Sequence, residues 1–196
     1  MAGVRERKKA LRRIGVEMFS LLPRDVRREL DAALAERVRE YVFETGAKFL
    51  LGYAPMTDEP DVSPFFRRWV AEGGRLAMPV WLGGESMRMR EVRDLDGELH
   101  PGRCGILEPS GMCPEADEAE VDLVITPGRF FSEDCGRMGR GSGCYDALFR
   151  RRNPAKIGVA YDFQILPAIP TYGGDVPVDL VITPTRIVSA GRKNIL

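Results

Sequence analysis

Histidine is almost missing from this chain: of 196 residues, His100 is the only one. The four cysteines, Cys104, Cys113, Cys135 and Cys144, are scattered, with no C-x-x-C pair among them. A zinc site needs closer Cys/His clustering than this, so metal binding by thiolates is not expected. Net charge is also absent, because 29 basic residues balance 29 acidic ones. That speaks against a nucleic-acid partner, which would call for a strong basic excess. No apolar run approaches the roughly 20 residues of a membrane span, and the charged start does not read as a signal peptide. A chain of this length needs no disulfides, so free thiols in a reducing cytoplasm are expected. No low-complexity linker interrupts the sequence, and residues 1–196 are read as one domain, with a monomer as the expected state.

What is present is an ordinary globular composition, 44% hydrophobic and 30% charged, enough to bury a core. Residues 4–20 place Val4, Leu11, Ile14, Met18 and Phe19 at helical spacing, ended by Leu22-Pro23. A second helix is predicted from about Asp25 to Phe43, with apolar residues every four positions and Gly46 as its stop. The period then changes. Short apolar runs at Lys48–Ala54, Arg75–Trp81, Val121–Thr126, Lys156–Tyr161 and Val178–Thr183 suit buried strands, and Ser86–Val92 alternates as another. Pro64–Glu72 and Cys144–Arg152 read as helices between them. Strands of this kind alternating with helices predict a three-layer α/β fold: a mostly parallel central sheet, helices on both faces, and the N-terminal helical pair packed on it. Val178–Thr183 is expected to be the last strand, and the Gly/Pro-rich stretch Leu95–Glu115 a long surface loop.

One segment repeats. Val121–Arg129 reads VDLVITPGR and Val178–Arg186 reads VDLVITPTR. Two buried parallel strands can converge on such a composition. Alternatively, both strand ends feed one site, since ligands of open α/β sheets bind at carboxyl ends of strands.

The segment richest in chemistry is Arg137–Asp146, RMGRGSGCYD. Glycines at 139, 141 and 143 let the backbone fold close around a ligand and aim several N–H groups at it. The loop opens a helix, whose N-terminus carries partial positive charge, and Arg137 and Arg140 add full charges. These features describe a phosphate cradle. It is neither G-x-x-x-x-G-K-[ST] nor G-x-G-x-x-G. Asp146 fits two roles, stabilising the first helical turn or holding magnesium against phosphates. Asp175 lies in a Gly-Gly-Asp-Val-Pro turn, where aspartate is common. Lys8, Lys9, Arg12 and Arg13 give the first helix a basic face, and Lys8 and Arg12, four apart, can grip the same phosphate.

These blocks, in this order, resemble the 5-formyltetrahydrofolate cyclo-ligase family. The matching elements are K-x-x-x-R at Lys8–Arg12, the acidic element Met56–Asp61, G-I-x-E-P at Gly105–Pro109, the long signature Asp122–Asp146 and the tail Asp175–Thr183. The long signature is the specific one. The resemblance implies an ATP- and Mg²⁺-dependent ligase that closes 5-formyltetrahydrofolate to 5,10-methenyltetrahydrofolate through a phosphorylated formyl oxygen. It implies ATP binding by Lys8, Arg12 and the loop Arg137, Met138, Gly139, Arg140, Gly141, Ser142, Gly143, Cys144 and Tyr145. It implies folate contacts by Met56, Glu59, Asp61, Glu108, Arg140 and Cys144, magnesium at Asp146 and Asp175, and catalytic roles for Arg140 and Asp146. Phe130 and Tyr145 are aromatic candidates for packing on flat rings. Cys144, Ser142 and Gly174 stand where the family often carries Tyr, Lys and His. Two other readings compete: a folate- or nucleotide-binding relative without turnover, and an enzyme of the sugar-phosphate isomerase or CoA-transferase type on the same kind of sheet.

Overall fold

The computed structural model describes residues 3–191. Helix α1 spans Val4–Ser20 and α2 spans Arg24–Thr45. The second ends where Gly46 turns left-handed at φ 70°, the usual way to stop a helix without Cβ strain. Then follow β1 (Phe49–Leu51), α3 (Ser63–Ala71), β2 (Arg75–Gly83), β3 (Ser86–Val92), the single turn α4 (Leu95–Glu98), β4 (Leu99–Pro101) and β5 (Leu107–Pro109). The second half holds β6 (Leu123–Pro127), β7 (Phe130–Ser132), β8 (Arg137–Met138), α5 (Cys144–Arg152), β9 (Ala155–Val159), β10 (Ile165–Leu166), β11 (Leu180–Ile182) and β12 (Ile187–Ser189).

Seven strands form the central sheet in the order β12-β11-β9-β6-β1-β2-β3. The five from β11 to β2 run parallel, and β12 and β3 pair antiparallel at the two edges. Side chains alternate across a strand, and the core divides accordingly. Leu50, Leu76, Ile125 and Ile157 point to the face covered by α2 and α3, where Leu34, Val38, Val42 and Phe66 are fully buried. Phe49, Leu51, Val124 and Val181 point to the other, covered by Leu148 and Phe149 of α5 and by Phe131. Each such buried side chain contributes roughly 1.5–3 kcal/mol. Helix α1 anchors Phe19 on Tyr161, with ring centroids 5.3 Å apart, and brings Gly15 against Phe130. The expected three-layer architecture with its N-terminal helical pair is therefore present.

Two expectations need correction. The segment Leu95–Glu115 is not a bare loop. Asp94 caps α4 through the Asp96 N–H at 3.0 Å, and β4 and β5 pair antiparallel. Nor is Val178–Thr183 the last strand, because β12 follows and pairs with β11. The strands that escaped lack the continuous apolar run that marks β1 and β11: β4 reads Leu-His-Pro, β5 Leu-Glu-Pro and β12 Ile-Val-Ser. The small sheet β10-β7-β8 escaped as well.

Candidate active site

From β1 the chain moves to β2 on one side and later returns to β6 on the other. The strand order therefore reverses between β1 and β6, and loops leaving their carboxyl ends diverge and open a crevice. A cleft of about 480 Å³ lies there. Tyr53, Ala54 and Met56 after β1, and Pro127, Gly128 and Arg129 at and beyond the end of β6, line its floor. Trp81 and Met87 from β2 and β3, and Ile106 and Glu108 from the β4–β5 arm, add a wall. Glu108 is fixed to β2 by the Trp81 N–H at 2.9 Å.

The glycine loop closes the opposite side. Gly141 (φ 110°) and Gly143 (φ 79°) adopt left-handed conformations that other L-residues rarely reach. Gly143 caps α5 with no side-chain acceptor on the first-turn N–H groups, leaving them available to an anion. Arg12 reaches from α1 to donate through Nε to the Gly139 carbonyl at 2.8 Å. Lys8, buried to 3% exposure, pairs with Asp175 and sits 4.1 Å from the Tyr172 ring centroid. Arg137 Nη2 lies 3.2 Å from Asp146 Oδ1, which also accepts the Val176 N–H at 3.1 Å. Asp146 is thus tied to the residue next to Asp175, and both carboxylates face the cleft. This is a pair and not a larger cluster: among the described residues no group of three or more metal-type ligands occurs. Such a pair fits magnesium, which takes one or two carboxylates and completes its shell with phosphate oxygens and water.

The acidic element packs against these cations. Arg140 donates through Nε to Glu59 Oε1 at 2.8 Å and pairs through Nη2 with Asp58. Arg129 pairs with Asp58 as well. Burial raises the Glu59 carboxyl from its ordinary 4.5, while the Met56 N–H and Arg129 pull the other way. Burial likewise lowers Arg129 and Arg140 from the ordinary guanidinium range and raises the Tyr145 hydroxyl. Arg129 and Arg137 each leave a buried Nε with no partner among the described residues.

The cleft gathers Lys8, Arg12, Met56, Glu59, Glu108, all nine residues from Arg137 to Tyr145, Asp146 and Asp175. Asp61 is not among its lining residues. Its carboxylate accepts the Ser63 N–H at 2.8 Å and its own N–H goes to Asp31, so it shapes the start of α3 from outside the cleft. Phe130 is also elsewhere, buried at 1% exposure with Met138 and Ile169. Arg129 carried no mark in the sequence, although it closes the first VDLVITP repeat and so lay next to a marked feature. Trp81, Met87 and Tyr172 had no local signal, because distant segments bring them to the cleft.

A doubly wound α/β protein with a cation-lined crevice at its switch point is the class these observations define. Residues 4–184 match the model of the 5-formyltetrahydrofolate cyclo-ligase family, and the chain belongs to that family. It is 33% identical over 132 residues to a probable 5-formyltetrahydrofolate cyclo-ligase of Schizosaccharomyces pombe, covering 60% of this chain and 65% of the relative. A mitochondrial 5-formyltetrahydrofolate cyclo-ligase of Arabidopsis thaliana is 30% identical, over 53% of this chain and 44% of its own length. These two alignments thus span less than two thirds of either relative. The probable enzyme of Caenorhabditis elegans is 26% identical, but the alignment covers 93% of this chain and 95% of the relative. Among solved structures, the 5,10-methenyltetrahydrofolate synthetase of Aquifex aeolicus is 28% identical with a TM-score of 0.83, covering 96% and 95% of the two chains. Family membership sets aside the isomerase and CoA-transferase alternative.

Proposed function

We propose that this protein converts 5-formyltetrahydrofolate, by ring closure at the expense of ATP, to 5,10-methenyltetrahydrofolate, ADP and phosphate. The observation that carries the reading is the pairing, in one cleft, of the cationic glycine loop with the acidic element after β1. The first suits a triphosphate and the second a polar heterocycle. In the proposed reaction the formyl oxygen attacks the γ-phosphorus and ADP leaves. N10 then attacks the activated formyl carbon, loses its proton, and phosphate departs with the former formyl oxygen. Such chemistry asks the protein mainly to align groups and neutralise charge.

Lys8, Arg12, Arg137 and Arg140, with residues 138–145, are the proposed ATP contacts. The unpartnered Nε atoms of Arg129 and Arg137 support a bound acceptor on this wall, since buried donors nearly always have one. Met56, Glu59, Glu108, Arg140 and Cys144 are the proposed folate contacts. Asp146 and Asp175 would hold magnesium, which when bound neutralises charge on the phosphates. A monomer, with 1–196 as one domain, is part of the proposal. Cys113, Cys135 and Cys144 are free thiols, which suits the cytoplasm.

The test is to supply 5-formyltetrahydrofolate and Mg-ATP and follow absorbance of the methenyl product. Absence of product with folate binding intact would favour a binding protein without turnover. Absence of folate binding would sink the proposal. Several kcal/mol of charge stabilisation accompany a phosphate-bound metal, so Asp146→Ala should lower kcat by ~100-fold or more. A circular dichroism spectrum matching the parent's would show the fold intact, and unchanged activity would remove Asp146 from the metal site.

A further inference from the structure

The loop between β1 and α3 supplies Met56 and Glu59 to the cleft, yet very little regular backbone pairing holds it. A single turn is closed by the Glu59 N–H on the Met56 carbonyl at 3.0 Å, with Glu59 Oε2 accepting the Met56 N–H in return. The next four carbonyls all accept from side chains. Arg27 takes Thr57 O and Glu59 O, the latter at 2.8 Å. Arg129 donates to Asp58 O at 3.3 Å, and the Tyr53 hydroxyl donates to Pro60 O at 2.5 Å. The Asp61 N–H then goes to Asp31 Oδ1 at 2.7 Å.

These supports come from opposite sides. Arg129 and Tyr53 line the cleft, whereas Arg27 and Asp31 belong to α2, behind the loop, and neither lines the cleft. Arg27 is itself fixed: Nε lies 3.8 Å from Asp31 Oδ2 and the guanidinium carbon 5.7 Å from the Phe19 ring centroid. Asp31 in turn accepts the hydroxyl of Tyr161, a fully buried residue whose ring packs on Phe19. The chain of contacts runs from the core, through Tyr161, Asp31 and Arg27, to two carbonyls that flank Asp58.

A planar guanidinium spanning two carbonyls fixes orientation as well as distance. An ammonium group reaches one carbonyl at a time. Without Arg27, Thr57 O and Glu59 O lose their only protein donors among the described contacts, and the Met56–Glu59 turn is free to tilt about Arg129 and Tyr53. The phosphate side has holds of its own, Arg12 on Gly139 and Lys8 on Asp175, and meets the turn through Arg140 on Asp58 and Glu59.

We infer that Arg27, seated by Asp31 and Tyr161, is a positioning residue that sets the Met56–Glu59 turn for the folate and bears on the nucleotide half of the site only through Arg140. The inference rests on the proposed ring-closing reaction and deepens it. Its signature is a split between the two substrates that a general loss of stability would not produce.

The experiment compares wild type, Arg27→Met and Arg27→Lys in four quantities: the folate KM, the ATP KM, kcat and Tm. Two lost hydrogen bonds to a charged donor correspond to a tenfold or greater effect. Arg27→Met should raise the folate KM by about tenfold or more and leave the ATP KM within about twofold. Arg27→Lys, with one carbonyl reachable, should fall between it and the parent. Equal changes in both KM values, or a fall in Tm with both KM values unchanged, would overturn the inference. Should Arg27→Met not fold, Arg27→Lys is read by the same split. Wild-type protein inert toward the folate would instead defeat the proposed reaction itself, so the two failures are distinguishable.

Discussion

Val121–Arg129 and Val178–Arg186 share seven opening residues, and for half their length they do the same work. Asp122 donates its N–H to Phe49 O at 2.9 Å and receives the Lys48 and Phe49 N–H groups on its carboxylate, both at 2.8 Å. Asp179 repeats this between β9 and β11, donating to Lys156 O at 2.9 Å and receiving the Lys156 N–H at 2.8 Å. In each repeat the aspartate stitches its strand to the start of a neighbour. Beyond the strands the two part company. The first repeat ends between β1 and β9, beside the reversal of strand order, and its Pro127, Gly128 and Arg129 line the cleft. The second ends beside the antiparallel edge. There Thr183 turns back to accept the Arg186 N–H on its hydroxyl and to bind Asp162, and no residue of the repeat lines the cleft. A strand end becomes a site through its place in the sheet, and the local sequence does not decide it.

The sharpest way to break this contrast is to remove the terminal arginine of each repeat. Arg129 is buried to 7% side-chain exposure and faces Asp58, which is itself 14% exposed. Truncation to Ala leaves a buried carboxylate with Arg140 alone, at a cost of about 3 kcal/mol, and should also weaken folate binding. Arg186 is 38% exposed and 3.8 Å from Asp162, so its truncation should cost less than about 1 kcal/mol and leave both KM values alone. Denaturant unfolding and steady-state kinetics on the two variants would check this. Equal losses would mean that the switch point confers nothing special.

The shared half makes the next test. Asp122→Ala strands two backbone N–H groups and should cost roughly 2 kcal/mol. Asp179→Ala strands one, plus an ion pair to Lys156 whose carboxylate is 54% exposed, and should cost nearer 1 kcal/mol. Neither should change the ratio of the two KM values, because both act at the amino ends of strands, away from the cleft. A selective effect of either on folate binding would show that the repeats differ along their whole length.

The contrast also explains what the sequence could and could not reveal. Helical spacing exposed α1 and α2, because burial on one face imposes a repeat, and continuous apolar runs exposed every strand of the parallel core, because those strands are buried on both faces. The glycine loop was legible for a local reason: Gly141 and Gly143 serve a backbone shape that sequence encodes directly. The acidic turn was only half legible. Met56 and Glu59 carry chemistry in their own side chains, but their placement depends on Arg27, which lies thirty residues earlier on a helix whose pattern marks it as plain surface. Asp61 was only half legible for the converse reason. A carboxylate inside an acidic block suggests a ligand, and its hydrogen bond to the Ser63 N–H becomes visible only when α3 is seen to begin there.

The smallest effect lies in how the two strand ends respond to pH. The first faces Glu59, a carboxyl raised above its ordinary 4.5 chiefly by burial, with the Met56 N–H and the Arg129 charge opposing. A raised carboxyl binds its proton more tightly in the folded chain than in the unfolded one. In the interval above 4.5 the native state therefore holds more protons, and stability must fall as pH rises through it. Asp31, also raised by burial, contributes a slope of the same sign, so the wild-type trend has two sources. Glu59→Gln removes one of them: the variant's Tm should decline less steeply than wild type as pH rises above about 4.5, while Asp31 keeps its own slope. Identical slopes would mean that Arg129 and Arg140 compensate the burial of Glu59 in full. In that case the end of β6 would be electrostatically as quiet as the end of β11, and the difference between the two repeats would rest on geometry alone.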